Sequence, residues 1–325
     1  VRLWLDDLSS LKPMCPGFDT GVSRQTWEGV EICRWGDGPV FDRPGEVVVE
    51  AFACALPTGY LQAMAEMTPR PCWINLEYLS AEPWIDACHG IASPHPSLPL
   101  VKYFYFPGFS ASSGGLLRES GLLARRDADF TRLHHDGTLD ISLFCYDSAP
   151  VDRLLEVLAT SASEIRLHVA PGKPLAAVTN HLGGNGPWQV GAMHVLPFDF
   201  LPQEAFDRLL WRCDVNFVRG EDSFVRAQWA GRPFVWQVYP QEEQAHLVKL
   251  DAFLDRYTAG LSSAEAAVAV NVFRAWNSVG DLHAAWPEFI AARAGIASHN
   301  RHWAGYLAES IDLSAGLVKF CAAKV

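Results

Sequence analysis

The sequence predicts an α/β fold of two doubly wound, Rossmann-like units followed by a helical tail, and three observations carry that reading. Short strand-like apolar runs alternate with helix-period patterns through most of the chain, the signature of parallel sheets with crossover helices. The 325 residues exceed one ordinary hydrophobic core and suit two. Hydrophobic residues at 49% against charged residues at 19% describe a globular protein rather than a disordered one.

In the first half, strands are expected at Val1–Asp6, Glu46–Phe52, Cys72–Tyr78 and Lys102–Phe106. Loop-rich connections carry Pro13, Pro16, Pro57, Pro69 and Pro71 between them. The second half restarts with strands at Leu139–Tyr146, Glu164–Val169, Val190–Leu196, Asp214–Val218 and Pro233–Val238, with helices at Val151–Thr160 and Gln203–Cys213. A short polar segment from Arg125 through His134, His135 and Asp136 to Gly137 joins the halves, so the domains are expected at residues 1–135 and 136–325.

Beyond the last strand the pattern is helical. Leu247, Leu250, Leu254 and Tyr257 share one helical face, and Ser262-Ser263-Ala264-Glu265 reads as a capping box. Further helices are expected over Trp286–Ala294, Trp303–Ser310 and, capped by Ser314, Leu317–Cys321. Such a tail can cross back and fasten the second unit to the first.

Charge and cysteine usage narrow the function. With 26 Lys and Arg against 37 Asp and Glu, the net charge of −11 argues against a phosphate-tracking nucleic-acid binder or a basic membrane-surface protein. A basic patch on a protein partner would be attracted instead. Eight scattered cysteines without CxxC spacing read as reduced core thiols, and no run approaches the about 20 apolar residues of a membrane span. The chain opens without Met or a signal peptide, and a cytoplasmic location is expected. His89 with His95, and His134 with His135, lack metal-ligand spacing. GxSxG, Walker A and GxGxxG motifs are absent.

The chemistry concentrates between Asp214 and Trp229. An apolar strand ends at Val218, Arg219 and Gly220 turn the chain, and a helix begins within Glu221-Asp222-Ser223. Free amides and the positive dipole end of that first turn can hold a diphosphate, and Arg219 adds a permanent charge at the carboxyl edge of the strand. The bland reading, in which Glu221, Asp222 and Ser223 merely cap a helix, stands beside it. Phe144 and Tyr146, two residues apart at another strand end, share a face, and Phe200, Gln203 and Phe206 follow a third. Aromatics there can sandwich a nucleobase while an amide reads its edge, although most of 18 Phe must be core. A nucleotide-sugar transferase fits these residues best.

Longer motifs sharpen this. Arg219 through Phe234, then Tyr239-Pro240-Gln241-Glu242-Glu243, resemble the EarP family, the protein-arginine rhamnosyltransferases of bacterial elongation factor P. So do Trp73-Ile74-Asn75-Leu76-Glu77-Tyr78-Leu79-Ser80-Ala81-Glu82-Pro83-Trp84, Phe106-Pro107-Gly108-Phe109, Gly114-Gly115-Leu116-Leu117-Arg118 and Phe253-Leu254-Asp255-Arg256-Tyr257. The resemblance implies a GT-B glycosyltransferase: two facing Rossmann-like domains, the acceptor against the first and the donor in the second. It implies dTDP-L-rhamnose as donor, its thymine near Phe144, Tyr146, Phe200, Gln203 and Phe206, and its diphosphate at Arg219, Glu221, Asp222 and Ser223. Inverting transfer to an arginine of elongation factor P follows, with no metal or other cofactor. The family opens with a strand and a Gly-rich loop carrying two aspartates, which would precede Val1. Within this chain Glu221, then Asp222, are the carboxylates expected near the sugar. Two alternatives stay open, a GT-B enzyme with another acceptor and a non-catalytic binder of nucleotide or translation factor.

Overall fold

The computed structural model describes residues 1–15, 17–36, 43–52, 54–130, 137–241 and 244–324. The joining residues 131–136, with His134, His135 and the expected domain boundary, lie outside the described residues, as do Pro16, Glu242 and Glu243. Thirteen described strands form three sheets.

The first sheet is small. Strand β1 (Arg2–Leu5) pairs in parallel with β3 (Val30–Arg34), and β2 (Arg24–Trp27) pairs antiparallel with β3. It closes over its own core of Leu8, Phe18 and Ile32. The β2–β3 hairpin was not expected from the sequence, because its alternation mixes charged residues with Trp27, Val30 and Ile32 over very short runs.

The second sheet contains β4 (Val47–Ala51), β5 (Cys72–Leu76), β6 (Ala92–Pro94) and β7 (Val101–Tyr105) in the order β4-β5-β7-β6, with β6 antiparallel. Helix α1 (Thr58–Glu66) packs Met64 with Val48 and Trp73 on one face. A short α2 (Trp84–Cys88) follows β5.

The third sheet carries the second half. Its strands are β8 (Leu139–Leu143), β9 (Ile165–Val169), β10 (Trp188–Val190), β11 (Met193–Pro197), β12 (Val215–Arg219) and β13 (Phe234–Gln237), ordered β10-β11-β9-β8-β12-β13. All neighbours are parallel except β10 with β11. The expected single strand Val190–Leu196 is thus two strands, split at a turn where Gly191 takes φ +59°. Helices α3 (Leu122–Phe130), α4 (Val151–Ala159), α5 (Lys173–Leu182), α6 (Gln203–Arg212) and α7 (Asp222–Ala230) complete the unit. Helix α3 corrects the reading of that stretch as a polar linker: it is amphipathic, burying Leu122 and Arg126 while Arg125 and Asp127 face out.

The tail comprises α8 (Ala245–Thr258), α9 (Ser263–Trp276), α10 (Leu282–Ala308) and α11 (Leu313–Ala322). Helix α8 buries the expected face at Leu250, Leu254 and Tyr257, with Phe253 beside them. The capping box of α9 is present, Ser262 and Glu265 each bonding the other's backbone amide. The two helices expected between Trp286 and Ser310 are one, continuous through Pro287 and through the expected break, where Ile296 and Asn300 are buried. The last helix is capped by Asp312 and not by Ser314: its side chain accepts from the Ala315 amide at 3.0 Å. Helix α11 crosses back, setting Leu313, Leu317, Phe320 and Cys321 against Cys72, Ile74 and Tyr105 of the second sheet.

The main core spans the seam between the halves. Ala81, Phe109, Leu116 and Leu122 join the cluster built on the third sheet and α7–α10. The Phe109 ring meets Phe224, Phe253 and Trp303 at 6.0, 5.6 and 6.4 Å between centroids. Gly115 has φ +73°, and a Cβ there would run into the Ile311 carbonyl, so the glycine lets the α10–α11 turn dock on the first half. Polar contacts pin the same seam. Arg256 donates to the Ala81 carbonyl at 2.7 Å, and the Trp229 indole donates to the Leu117 carbonyl at 2.9 Å. Arg226 of α7, 7% exposed, bonds three carboxylates: Asp207 at 3.1 Å, Glu119 at 2.7 Å and Asp222 at 3.1 Å. Burial pushes the Asp207 carboxyl up despite the arginine.

Replacing Arg226 with Met strands Asp207 as a buried unpaired charge and is expected to cost about 3–5 kcal/mol in urea unfolding near neutral pH. The loss should shrink at about pH 4, where Asp207 can take up a proton. An equal loss at both pH values would show that packing, not charge, is what Arg226 contributes.

Candidate active site

The order of the third sheet locates a crevice before any side chain is considered. From β8 the chain winds outward through β9 to β11, then returns to the other side of β8 with β12 and β13. The sheet therefore reverses direction between β8 and β12, and ligands of open α/β sheets bind at the carboxyl edge of such a switch point. Phe144 and Tyr146 leave the end of β8, and Arg219 ends β12.

These three residues meet. The Arg219 guanidinium carbon lies 4.4 Å from the Phe144 ring centroid and 4.5 Å from that of Tyr146, within cation–π range of both. No carboxylate pairs with it among the described residues, and its Nε is buried without any hydrogen-bond partner. A buried donor left unmade is costly, and an acceptor beside this permanent cation would be favoured if anionic.

The neighbouring turn keeps the crevice open. Gly220 takes φ +62°, and a Cβ there would come within 2.9 Å of the Tyr146 hydroxyl. The Trp236 indole donates to the Gly220 carbonyl at 2.8 Å. Ser223 turns its hydroxyl back, donating to the Arg219 carbonyl at 2.5 Å and accepting from the Arg219 amide at 3.2 Å. Helix α7 begins at Asp222 with Glu221 as its N-cap, and no side chain caps it. No side chain of this triplet thus caps the helix, and its first-turn amides could meet an anion.

The two carboxylates part ways. Asp222 is spent on the ion pair with Arg226 one turn along. Glu221 instead reaches across the cleft: its Oε2 accepts from the Leu79 amide of the first half at 3.2 Å. Burial raises its carboxyl above the ordinary value, the Leu79 amide and Lys249 opposing without prevailing. Glu221 is thus the carboxylate placed between the two halves.

Phe206 joins the aromatic wall, its ring 5.9 Å from Phe144 and nearly edge-on. Phe200 and Gln203 lie exposed at the rim, before and at the start of α6, and are not packed against Arg219. Sequence reasoning missed Gln237, only 2% exposed, which lies beside Arg219 in the ladder. Its Oε1 accepts from the Tyr146 amide at 2.7 Å and its Nε2 donates to Ser148 at 3.1 Å, fixing the β8 loop. The signal was a lone amide ending the apolar strand Phe-Val-Trp-Gln. Tyr239 sets its ring edge-on to Tyr146 at 5.3 Å, and Lys173 lies 5.9 Å from that ring while pairing with Asp147 at 3.0 Å.

His89 and His95 make structural hydrogen bonds. His89 accepts from the Phe106 amide at 3.1 Å, and His95 from the Leu98 amide at 3.0 Å. Among the described residues no group of three His, Cys, Asp or Glu is placed to hold a metal ion, and no helix is long and apolar enough to cross a membrane. All eight cysteines are free, five of them buried; Cys54 is exposed, and burial pushes the Cys145 thiol up to about 12.

A parallel sheet with Arg219 at its switch point, packed against a second α/β unit, is the architecture of a GT-B glycosyltransferase. The chain belongs to the EarP family, described as elongation factor P (EF-P) rhamnosyltransferases, whose model matches residues 1–322. The protein-arginine rhamnosyltransferase of Pseudomonas putida is 44% identical over 98% of this chain and 89% of its own length. That of Pseudomonas aeruginosa is 42% identical over 99% and 90%. A solved structure described as the structural basis for EarP-mediated arginine glycosylation of translation elongation factor EF-P is 38% identical, with a TM-score of 0.59 over 67% of this chain and 75% of that one.

Because Glu221 binds its proton more tightly when folded than unfolded, it costs the folded state progressively more as pH rises above 4.5 and costs nothing below. Glu221→Gln keeps an oxygen for the Leu79 amide, so its melting temperature should exceed the parent's at about pH 8 and match it at about pH 4. A variant less stable than the parent at both would contradict this.

Proposed function

We propose that this protein transfers L-rhamnose from dTDP-L-rhamnose to an arginine side chain of elongation factor P, with inversion and without a metal ion, as a post-translational step in the cytoplasm. The observation that carries the reading is Arg219, a cation sandwiched by Phe144 and Tyr146 with an unsatisfied buried Nε at the switch point of the third sheet. Family membership and the names of both Pseudomonas relatives support arginine rhamnosylation.

The diphosphate sits against Arg219, Ser223 and the open amides beginning α7. The thymine lies along Phe144, Tyr146 and Phe206, with Phe200 and Gln203 closing over it from the rim. A guanidinium, with a pKa above about 12 and a delocalised lone pair, is a poor nucleophile, so its alignment and proton acceptance must be supplied. As one guanidine nitrogen bonds to the anomeric carbon, the bond to the diphosphate oxygen breaks and its electron pair leaves with dTDP. Arg219 and the helix amides stabilise the charge that develops there. The proton passes to a carboxylate, and Glu221, made more basic by burial, is the one that faces both halves. Alignment alone can supply up to roughly 7–11 kcal/mol of the barrier.

Full-length protein with dTDP-rhamnose should add one deoxyhexose to elongation factor P by intact-mass spectrometry. Modification of a different acceptor only would overturn the acceptor assignment. Arg219→Ala should lower kcat/KM by about 100- to 1,000-fold and abolish thermal stabilisation by dTDP. Unchanged stabilisation in that variant would remove Arg219 from the donor site.

A further inference from the structure

We infer that Glu77, held by Asn75 at the carboxyl end of β5, is the seat for the guanidinium of the acceptor arginine. The inference rests on the arginine-transfer reading and names the residues of the first half that would serve it.

The two carboxylates on one face of the second sheet are treated differently. Glu50, 3% exposed, is neutralised by Lys102 at 2.6 Å and accepts from the Trp73 indole at 3.2 Å. Asn75 is its partner across the β4–β5 ladder, and Glu77 lies two residues on, past the end of β5. Glu77 is half-buried, and its carboxylate accepts from the Asn75 side-chain amide, but no cation pairs with it among the described residues. Asn75 is 1% exposed, and its Oδ1 is a buried acceptor with no donor. Carboxylate and amide oxygen together make a head group short of donors. An arginine side chain brings five N–H donors in a planar fork and the missing positive charge.

Position favours the same occupant. Leu79, two residues beyond Glu77, gives its amide to Glu221, so the seat lies two residues along the chain, at most about 7 Å, from the contact with the second half. The same edge presents Phe52 and Tyr78, 47% and 53% exposed, stacked at 4.6 Å. Phe52 holds φ +57°, a strained conformation for an aromatic residue, which keeps its ring on the surface. A stacked pair of π faces beside an unpaired carboxylate suits the loop that carries a cationic side chain.

The test uses full-length protein, dTDP-rhamnose, and elongation factor P with either arginine or alanine at the acceptor position. Glu77→Gln should raise the acceptor KM roughly tenfold or more, the usual scale for losing a charge-assisted hydrogen bond, and erase the parent's binding preference for the arginine form. Glu77→Asp should restore part of that preference, while thermal stabilisation by dTDP stays at the parent value in both. An unchanged acceptor KM in Glu77→Gln, or equal weakening toward the arginine and alanine forms, would overturn the seat. A parallel loss of dTDP stabilisation would do the same, marking Glu77 as a structural residue. If the parent protein modifies no elongation factor P, the transfer reading falls and the seat with it.

Discussion

One buried arginine holds the mouth of the cleft in register. Arg226 gathers Glu119 from the first half, Asp207 from α6 and Asp222 from the first turn of α7, so three elements are referred to a single planar group. Removing such a charge from water is unfavourable, and only its full set of carboxylate partners offsets that cost. The geometry is therefore demanding, and α7 cannot slide without breaking it. Because α7 also begins at the crevice beside Arg219, the same ion cluster that joins the halves fixes where the first-turn amides of that helix point. Phe109, packed on Phe224, Phe253 and Trp303, supplies the apolar counterpart of that junction.

The cleft also carries incomplete polar groups. Interiors rarely leave polar atoms unpaired, yet among the described residues three buried side-chain atoms are, and two of them belong to Arg219 and Asn75. One is a donor in the second half and the other an acceptor in the first, on either side of the contact between Leu79 and Glu221. An anionic donor and a cationic acceptor would satisfy them in complementary fashion. Pre-built, unsatisfied groups cost folding stability but need no reorganisation when charge develops.

Much of this was legible in the chain. Alternating runs located nine strands and the helical tail, and the Arg219–Gly220–Glu221 turn stood out because a glycine and a basic residue interrupt an apolar strand just before a helix. Phe144 and Tyr146, expected to share a face of a strand running to Tyr146, lie past its end at Leu143, yet both meet Arg219. Short elements were missed: the β2–β3 hairpin, α3 and the break between β10 and β11 depend on local turns and long-range partners more than on pattern. Helix α10 read as two because Gly295 and a polar run interrupt its period between Ala294 and Trp303, although tertiary burial at Ile296 and Asn300 carries it through. Gln237 and Tyr239 were invisible as site residues, since nothing local says that the end of β13 lies beside the end of β8.

The sequence by itself determined the α/β class, the family and the residue types around the Arg219 turn, because strand and helix periods, turn glycines and long motifs are local properties of the chain. The tertiary structure alone decided how those residues are used. Glu221 and Asp222 are neighbours of the same type, yet one crosses to the Leu79 amide and the other turns back to Arg226. The choice depends on which partner each oxygen can reach and on how much water each loses, and both are set by strands and helices distant in the chain.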